Sequence, residues 1–320
     1  MTDAARADFG RETTTDQVLE GIDLTGRRAV VTGATAGLGV ETARALAARG
    51  AAVTLTARDL ARGEAIASEI RSSTGNDNID VMALELGSLD SIRQFAGDYL
   101  GKYDSLNLLI NNAGVMACPA GKTSDGFEMQ FGTNHIGHFL LTNLLAPALI
   151  KGAPARVVAL SSRAHHMSPI DFDDPNFESR DYNKWVSYGQ SKTANVLFAV
   201  ELDKRLADKG VRAFSVHPGV IETELSRHMD EEDRAMIGAR AEQVGNWFVK
   251  TVPQGAATSV LAATAPELEG KGGIYLEDCQ IAEIEDESPA FGVRSYALDP
   301  AAAERLWAMS EQMVGQEFPL

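Results

Sequence analysis

The chain has 320 residues and a formal net charge of −16. Such an acidic balance argues against a nucleic-acid partner and against docking on an anionic membrane, while leaving room for a locally basic small-ligand site. The two cysteines, Cys118 and Cys279, lie far apart with no neighbour to form a metal pair, which suits a reducing, cytoplasmic setting. Met1 to Glu20 is polar and lacks a signal-peptide core, and no apolar run reaches the ~18 residues of a membrane span.

Residues 1–25 are expected to form a loose N-terminal arm with a helical turn near Asp16–Leu19. At Arg28 the pattern changes to a buried strand, Ala-Val-Val-Thr. The loop Gly33-Ala-Thr35-Ala36-Gly37-Leu38-Gly39 follows, and then a helix over Val40–Arg49. Further pairs come in order: strand Ala52–Thr56 with a helix opening at Arg58-Asp59, strand Val81–Leu86 with helix Ser88–Leu100, and strand Leu106–Asn111. A long helix is expected over Asp125–Ile150, with Pro147 crowding its last turn. Strand Arg156–Leu160 runs into Ser161-Ser162, helix Ser187–Leu206 follows, and strand Val211–Val216 leads into His217-Pro218-Gly219. This alternation is the signature of a doubly wound parallel sheet, an α/β Rossmann-type fold, and residues 26–320 are expected to form a single domain.

Two segments break the rhythm. Arg163–Val186 has the composition of a long surface connection. Glu222–Lys250 is expected to be a helix with Leu225, Met229, Met236, Val244, Trp247 and Phe248 on roughly one side. Both follow strand ends on one edge of the sheet, where open α/β folds bind ligands, so residues 222–250 are read as a helical substrate lid; a plain amphipathic helix packed on the core is the alternative. Helix Gln254–Thr264, strand Gly273–Leu276 and helix Pro300–Met313 close the chain.

Glycines at 33, 37 and 39 sit between a strand and a helix, where they allow a tight turn and a close backbone approach. The helix N-terminus beyond them offers unpaired N–H groups to a pyrophosphate, so the loop is read as a dinucleotide cradle. At the end of the second strand a carboxylate would select NAD(H) through the ribose hydroxyls; here Arg58 stands, and a guanidinium favours a 2′-phosphate. NADP(H) is therefore expected, with NAD(H) the alternative. Asp59 fits either a helix cap or a ribose ligand.

Tyr188 and Lys192 lie four residues apart, which on a helix puts the phenol and the ammonium on one face. At ~4 Å and an effective dielectric near 20, their attraction is worth roughly 4 kcal/mol, enough to pull a phenol down by about two to three pH units. The spacing also fits two ordinary residues at a helix start, so the rest of the chain decides.

Taken together, Thr32-Gly33-x-x-x-Gly37-x-Gly39, Asn111-Asn112-Ala113-Gly114, Asn134, Ser162, Tyr188-x-x-x-Lys192 and Pro218-Gly219 resemble the short-chain dehydrogenase/reductase family over roughly residues 26–265. The strings Asn134-His-Ile-Gly-His-Phe-Leu-Leu-Thr142 and Tyr188-Gly-Gln-Ser-Lys-Thr-Ala-Asn-Val-Leu197 resemble its retinol dehydrogenase-like branch, which includes protochlorophyllide reductases. The resemblance implies that Tyr188 exchanges the proton, that Lys192 holds the nicotinamide ribose and lowers the phenol pKa, and that Ser162, with Ser161 as fallback, bonds the substrate oxygen. Asn134 would fix a water linking Lys192 to solvent. Asn112, Ala113 and Gly114 would line the adenosine-ribose side, and Pro218, Gly219, Val220 and Thr223 the nicotinamide end. Where the family usually has Asp for the adenine amino group this chain has Glu85, so the contact is expected from Glu85 or from the Leu86 backbone.

The implied reaction is hydride transfer between nicotinamide C4 and a bulky apolar alcohol, ketone or aldehyde. Reduction of an activated C=C bond and an NADP(H)-binding regulatory protein without turnover are the alternatives. Met116, Trp185, Met229 and Trp247 are the candidate pocket residues. The resemblance also implies a homodimer or homotetramer. His135, His138, His165, His166, His217 and His228 lack a metal-ligand spacing and are read as packing and hydrogen-bonding residues.

Overall fold

A computed structural model of the chain describes residues 9–244 and 248–320. Eight strands form one sheet: β1 (Arg28–Val31), β2 (Ala52–Ala57), β3 (Ile79–Ala83), β4 (Leu108–Asn111), β5 (Ala155–Leu160), β6 (Val211–His217), β7 (Ile274–Glu277) and β8 (Gln280–Ile281). Their spatial order is β3-β2-β1-β4-β5-β6-β7-β8, parallel throughout except for the antiparallel β7–β8 pair. The order reverses between β1 and β4, so the loops after β1, β4, β5 and β6 emerge on one edge beside a topological switch point.

The strands are apolar runs because both faces are covered. One face packs under α1 (Thr15–Val18), α2 (Gly37–Ala47), α3 (Leu60–Thr74) and α8 (Val252–Thr264). The other packs under α4 (Leu89–Lys102), α5 (Gly137–Lys151), α6 (Lys184–Leu206) and α9 (Pro300–Val314), where Trp307 lies edge-on to Phe139 at 5.0 Å. A short helical turn, Met129–Phe131, leads toward α5, and α7 (Glu231–Val244) follows β6. Within the described part of the N-terminal arm, Val18 and Leu19 are fully buried, so this part is anchored rather than loose. Among the described residues no helix is long and apolar enough to cross a membrane.

Four elements differ from their sequence expectation. Strand β3 starts and ends earlier than Val81–Leu86, because its partner β2 stops at Ala57; Leu84 N–H makes the last rung at 3.0 Å, and Leu86 turns into the core. The expected helix from Asp125 begins only at Met129. The Asp125 carboxylate accepts Leu89 N–H at 2.9 Å and Gly126 sits at φ +89°, holding residues 123–128 in a turn. A π-helical turn, Gly132–Ile136, then precedes α5, which accommodates Pro147. Helix α6 starts at Lys184, capped by the Asn183 side chain at 2.9 Å from Trp185 N–H and 3.0 Å from Val186 N–H.

The lid segment is a 3₁₀ turn, Glu224–His228, followed by α7 rather than one continuous helix. Asp230 and Asp233 exchange backbone-to-carboxylate bonds at 3.0 and 2.9 Å, which starts a new helix there. Of the expected apolar face, Leu225, Met229 and Phe248 are half-buried and Met236 is 41% exposed.

Candidate active site

The loop after β1 requires glycine at positions 33, 37 and 39. Gly33 and Gly37 sit at φ +64° and +54°, a region costly for side chains. A Cβ on Gly33 would lie 2.9 Å from Ala113 Cα, and one on Gly39 would lie 2.7 Å from Asn112 Nδ2. The N-cap of α2, Ala36, has no side-chain hydrogen bond to give, so the first N–H groups of the helix are left for a ligand. Thr35, Ala36 and Leu38 are half-buried along this turn.

Thr32 is the hub beneath it. Its hydroxyl accepts Asn112 N–H and Ala113 N–H, both at 2.9 Å, and meets His138 Nε2 at 2.9 Å. His138 Nδ1 faces the Asn134 carbonyl at 2.9 Å; a carbonyl only accepts, so the proton is on Nδ1 and Nε2 accepts from Thr32. Burial holds His138 neutral, with its pKa pushed down to about 4. Asn112 braces the loop as well, its side-chain amide donating to the Thr32 carbonyl at 2.7 Å.

Near the end of β2, Asp59 caps α3, its Oδ1 accepting Ala61 N–H at 2.9 Å and Arg62 N–H at 3.1 Å. Arg58 is 72% exposed and sits 3.7 Å from Glu85. Glu85 in turn accepts Gly87 N–H at 2.9 Å. The Leu86 side chain is buried, and its carbonyl lies against Gly137.

The π turn directs Asn134 into the interior. Its side chain accepts Val115 N–H at 2.8 Å and donates to the Val115 carbonyl at 2.9 Å and to Ser191 Oγ at 3.0 Å. A π turn at a functional residue is a recurrent pairing. A Cβ on Gly114 would lie 3.1 Å from Asn134 Oδ1 and 3.7 Å from Lys192 Nζ, so these three groups meet.

Tyr188 and Lys192 share one face of α6, one turn inside the helix rather than at its start. Lys192 Nζ donates to the Leu160 carbonyl at 3.0 Å and lies 5.5 Å from the Tyr188 ring centroid. Ser161 and Ser162 divide. Ser161 Oγ donates to the Lys192 carbonyl at 2.8 Å, whereas Ser162 Oγ accepts Ala164 N–H at 3.1 Å and acts on the Tyr188 hydroxyl, favouring its ionised form.

The expected depression of the phenol is reversed. Burial pushes Tyr188 up to about 12, against the hydrogen bond from Ser162, and burial pulls Lys192 down to about 8. The Lys192 ammonium stands over the ring, held by the Leu160 carbonyl, and desolvation drives each group toward its neutral form.

At the other end, Gly219 sits at φ +98°. Val220 pairs with Val249, and the Lys250 N–H donates to the Val220 carbonyl at 2.8 Å. Thr223 caps the following 3₁₀ turn and packs on Gly37, 3.2 Å from where a Cβ would be. Pro218, Met116 and Met229 are half-buried on this edge. Trp185 lies edge-on to Tyr188, with centroids 6.4 Å apart. Trp247 lies outside the described residues.

Several contributors escaped the sequence reading. Lys250 is 2% exposed and pairs with Asp278 at 2.6 Å directly beneath Gly219, where a Cβ would meet its Cδ at 2.7 Å. His165 donates from Nδ1 to the Ser162 carbonyl at 2.7 Å while Nε2 accepts Arg294 N–H at 3.1 Å, and Tyr296 donates to the His165 carbonyl. A C-terminal segment thereby clasps the serine loop. Tyr-x-x-x-Lys and the glycines carry local signals; these partners are more than a hundred residues apart in the His165 case and carry none.

The parallel sheet, the glycine cradle at its switch point and the buried Tyr188 and Lys192 beside Ser162 define a Rossmann-type nucleotide-binding oxidoreductase. The short chain dehydrogenase family matches residues 27–234. Human retinol dehydrogenase 12 is 46% identical over 294 residues, covering 92% of this chain and 88% of that protein. Among solved structures, an uncharacterized protein from Mycobacterium paratuberculosis superposes with a TM-score of 0.71 at 35% identity, covering 99% of both chains. The Pseudomonas aeruginosa RhlG/NADP active-site complex gives 0.63 at 26% identity, covering 80% of this chain and 95% of that one. The chain belongs to the short-chain dehydrogenase/reductase family and is an oxidoreductase similar to the retinol dehydrogenases.

Proposed function

We propose that this enzyme moves a hydride between the nicotinamide C4 of NADP(H) and a bulky apolar alcohol, ketone or aldehyde, with Tyr188 as general acid/base. The observation that carries the reading is the convergence of Ser162 on the Tyr188 hydroxyl, with Lys192 on the same helix face, at the end of a cradle where side chains do not fit. The nicotinamide supplies or takes the hydride; the protein aligns and stabilises. The α2 N-terminus holds the pyrophosphate, Asn112, Ala113 and Gly114 line its ribose side, Lys192 holds the nicotinamide ribose, and Pro218 to Thr223 meet the nicotinamide end. In reduction, charge develops on the substrate oxygen; Ser162 shares it and the neutral Tyr188 phenol gives its proton. A phenol kept protonated by burial suits that direction. Asn134, joined to Ser191 and near Lys192, supports a water-borne proton route past the lysine.

Arg58, directly after β2 and 72% exposed, supports NADP(H) over NAD(H). RhlG, a structural relative, was solved with NADP. Retinol dehydrogenase 12, by its name, acts on a long apolar alcohol, which supports the substrate class. A single domain over residues 26–320, a cytoplasmic setting and a homodimer or homotetramer complete the proposal. Replacing Tyr188 with Phe tests it directly. NADPH binding is retained while turnover of aryl ketones, long aldehydes, retinoids or steroids falls by orders of magnitude; near-normal turnover sinks the assignment.

A further inference from the structure

Helix α7 is attached to the rest of the chain by a charge. Among its residues whose burial is described, Asp233 alone is buried, at 4% exposure. Its carboxylate accepts Lys184 Nζ at 2.6 Å, Trp185 Nε1 at 2.8 Å and Asp230 N–H at 3.0 Å. Lys184 also reaches the Asp230 carboxylate at 3.0 Å. Lys184 and Trp185 are the first two residues of α6, and the Trp185 ring lies edge-on to Tyr188, at 80°. A helix seated by an apolar stripe is held by the area it buries. This one is held by charge-assisted hydrogen bonds that converge on one carboxylate, a directional and short-range attachment.

We propose that Asp233 is a positioning residue for substrate selection: it latches α7 onto the first turn of the catalytic helix and, through Trp185, fixes the wall beside Tyr188 that bulky apolar substrates need. The latch rests on the reading of the site as a carbonyl and alcohol oxidoreductase. A bulky substrate depends on the closed wall for binding; a small carbonyl reaches Tyr188 and Ser162 without it. Loss of the latch therefore raises KM for bulky substrates and spares the chemistry.

The test compares full-length wild type with Asp233→Asn, Asp233→Glu and Trp185→Phe. Trypsin cleavage at Arg227 and Arg234 reads whether the segment is docked, and NADPH binding and melting temperature read whether the rest is intact. KM and kcat on a bulky and a small carbonyl read selection. Asp233→Asn is expected to speed cleavage and raise KM for the bulky substrate by about tenfold each, with kcat on the small one and NADPH affinity unchanged. Trp185→Phe raises KM for the bulky substrate more than for the small one, and Asp233→Glu recovers part of both losses. Wild-type cleavage and wild-type KM in Asp233→Asn overturn the proposal, as does an equal rise in KM for both substrates with a lowered melting temperature. If the wild type turns over no carbonyl, the functional reading falls, and the cleavage rates alone still decide whether Asp233 is the latch.

Discussion

The hydroxyl of Ser161 donates to the backbone carbonyl of Lys192 at 2.8 Å, tying the end of β5 to helix α6. Ser162, one residue on, faces the Tyr188 hydroxyl instead. The two substitutions must therefore fail differently. Ser162→Ala is expected to lower kcat by about 10²–10³ with little change in melting temperature. Ser161→Ala removes the extra donor from a Lys192 carbonyl that keeps its helical hydrogen bond, costing about 0.5–1.5 kcal/mol of stability with a smaller effect on kcat. Steady-state kinetics and urea unfolding on the same preparations separate them.

Lys192 makes stability depend on pH with a definite sign. Burial holds its ammonium at about 8, below the 10.5 of a free side chain. Between those values the unfolded chain binds a proton that the folded chain has lost, so this group's contribution to stability rises with pH. Tyr188, raised to about 12, acts oppositely above pH ~10, where the folded chain keeps a proton the unfolded one releases. In Lys192→Met the cost of burying the cation is gone. The stability of the variant relative to wild type is expected to decline by up to roughly 3 kcal/mol from pH ~7 to pH ~10.5, measured by urea titration at each pH.

Gly39 and Gly97 give opposite outcomes for the same substitution. A Cβ at 39 meets Asn112 Nδ2 at 2.7 Å and the Gly33 carbonyl carbon at 2.9 Å. Gly39→Ala is expected to destabilise by about 1–3 kcal/mol and to abolish binding of the dinucleotide, read by NADPH fluorescence. Gly97 lies on the exposed side of α4 with nothing within 4 Å of an added Cβ. Gly97→Ala is expected to stabilise by about 0.5–1 kcal/mol with no change in kinetics.

Cofactor choice is tested at Arg58. Removing the guanidinium, Arg58→Ala, is expected to weaken NADPH about 10–100-fold while leaving NADH nearly unchanged. Equal losses for both cofactors, measured as dissociation constants, contradict a 2′-phosphate role.

The parts of the site that the sequence made readable are those with local causes. Strand-then-glycine periodicity located the loop after β1, and a four-residue spacing placed Tyr188 and Lys192 on one helical face. What sequence reasoning missed depends on solvent and on distant partners. Spacing alone suggested that Lys192 would depress the phenol; the deciding fact is that both groups are buried, which local pattern does not contain. The apolar residues of Glu222–Lys250 suggested a one-sided helix. Asp230 and Asp233 interrupt it because Lys184 and Trp185 of α6 draw them in. Likewise nothing near Gly219 announces that Lys250 and Asp278 will meet beneath it.

The π turn at Gly132–Ile136 bears on how this enzyme can change over generations. Each residue advances a helix by about 100°, so dropping one residue from the turn would swing Asn134 away from Val115 and Ser191, or His138 away from Thr32. Those contacts connect the glycine loop to helix α6. Side chains along α5 are free to drift within the limits of packing, but its residue count is not. Insertions and deletions in this lineage are therefore expected to collect in the loops and terminal segments, leaving the length of 132–136 untouched.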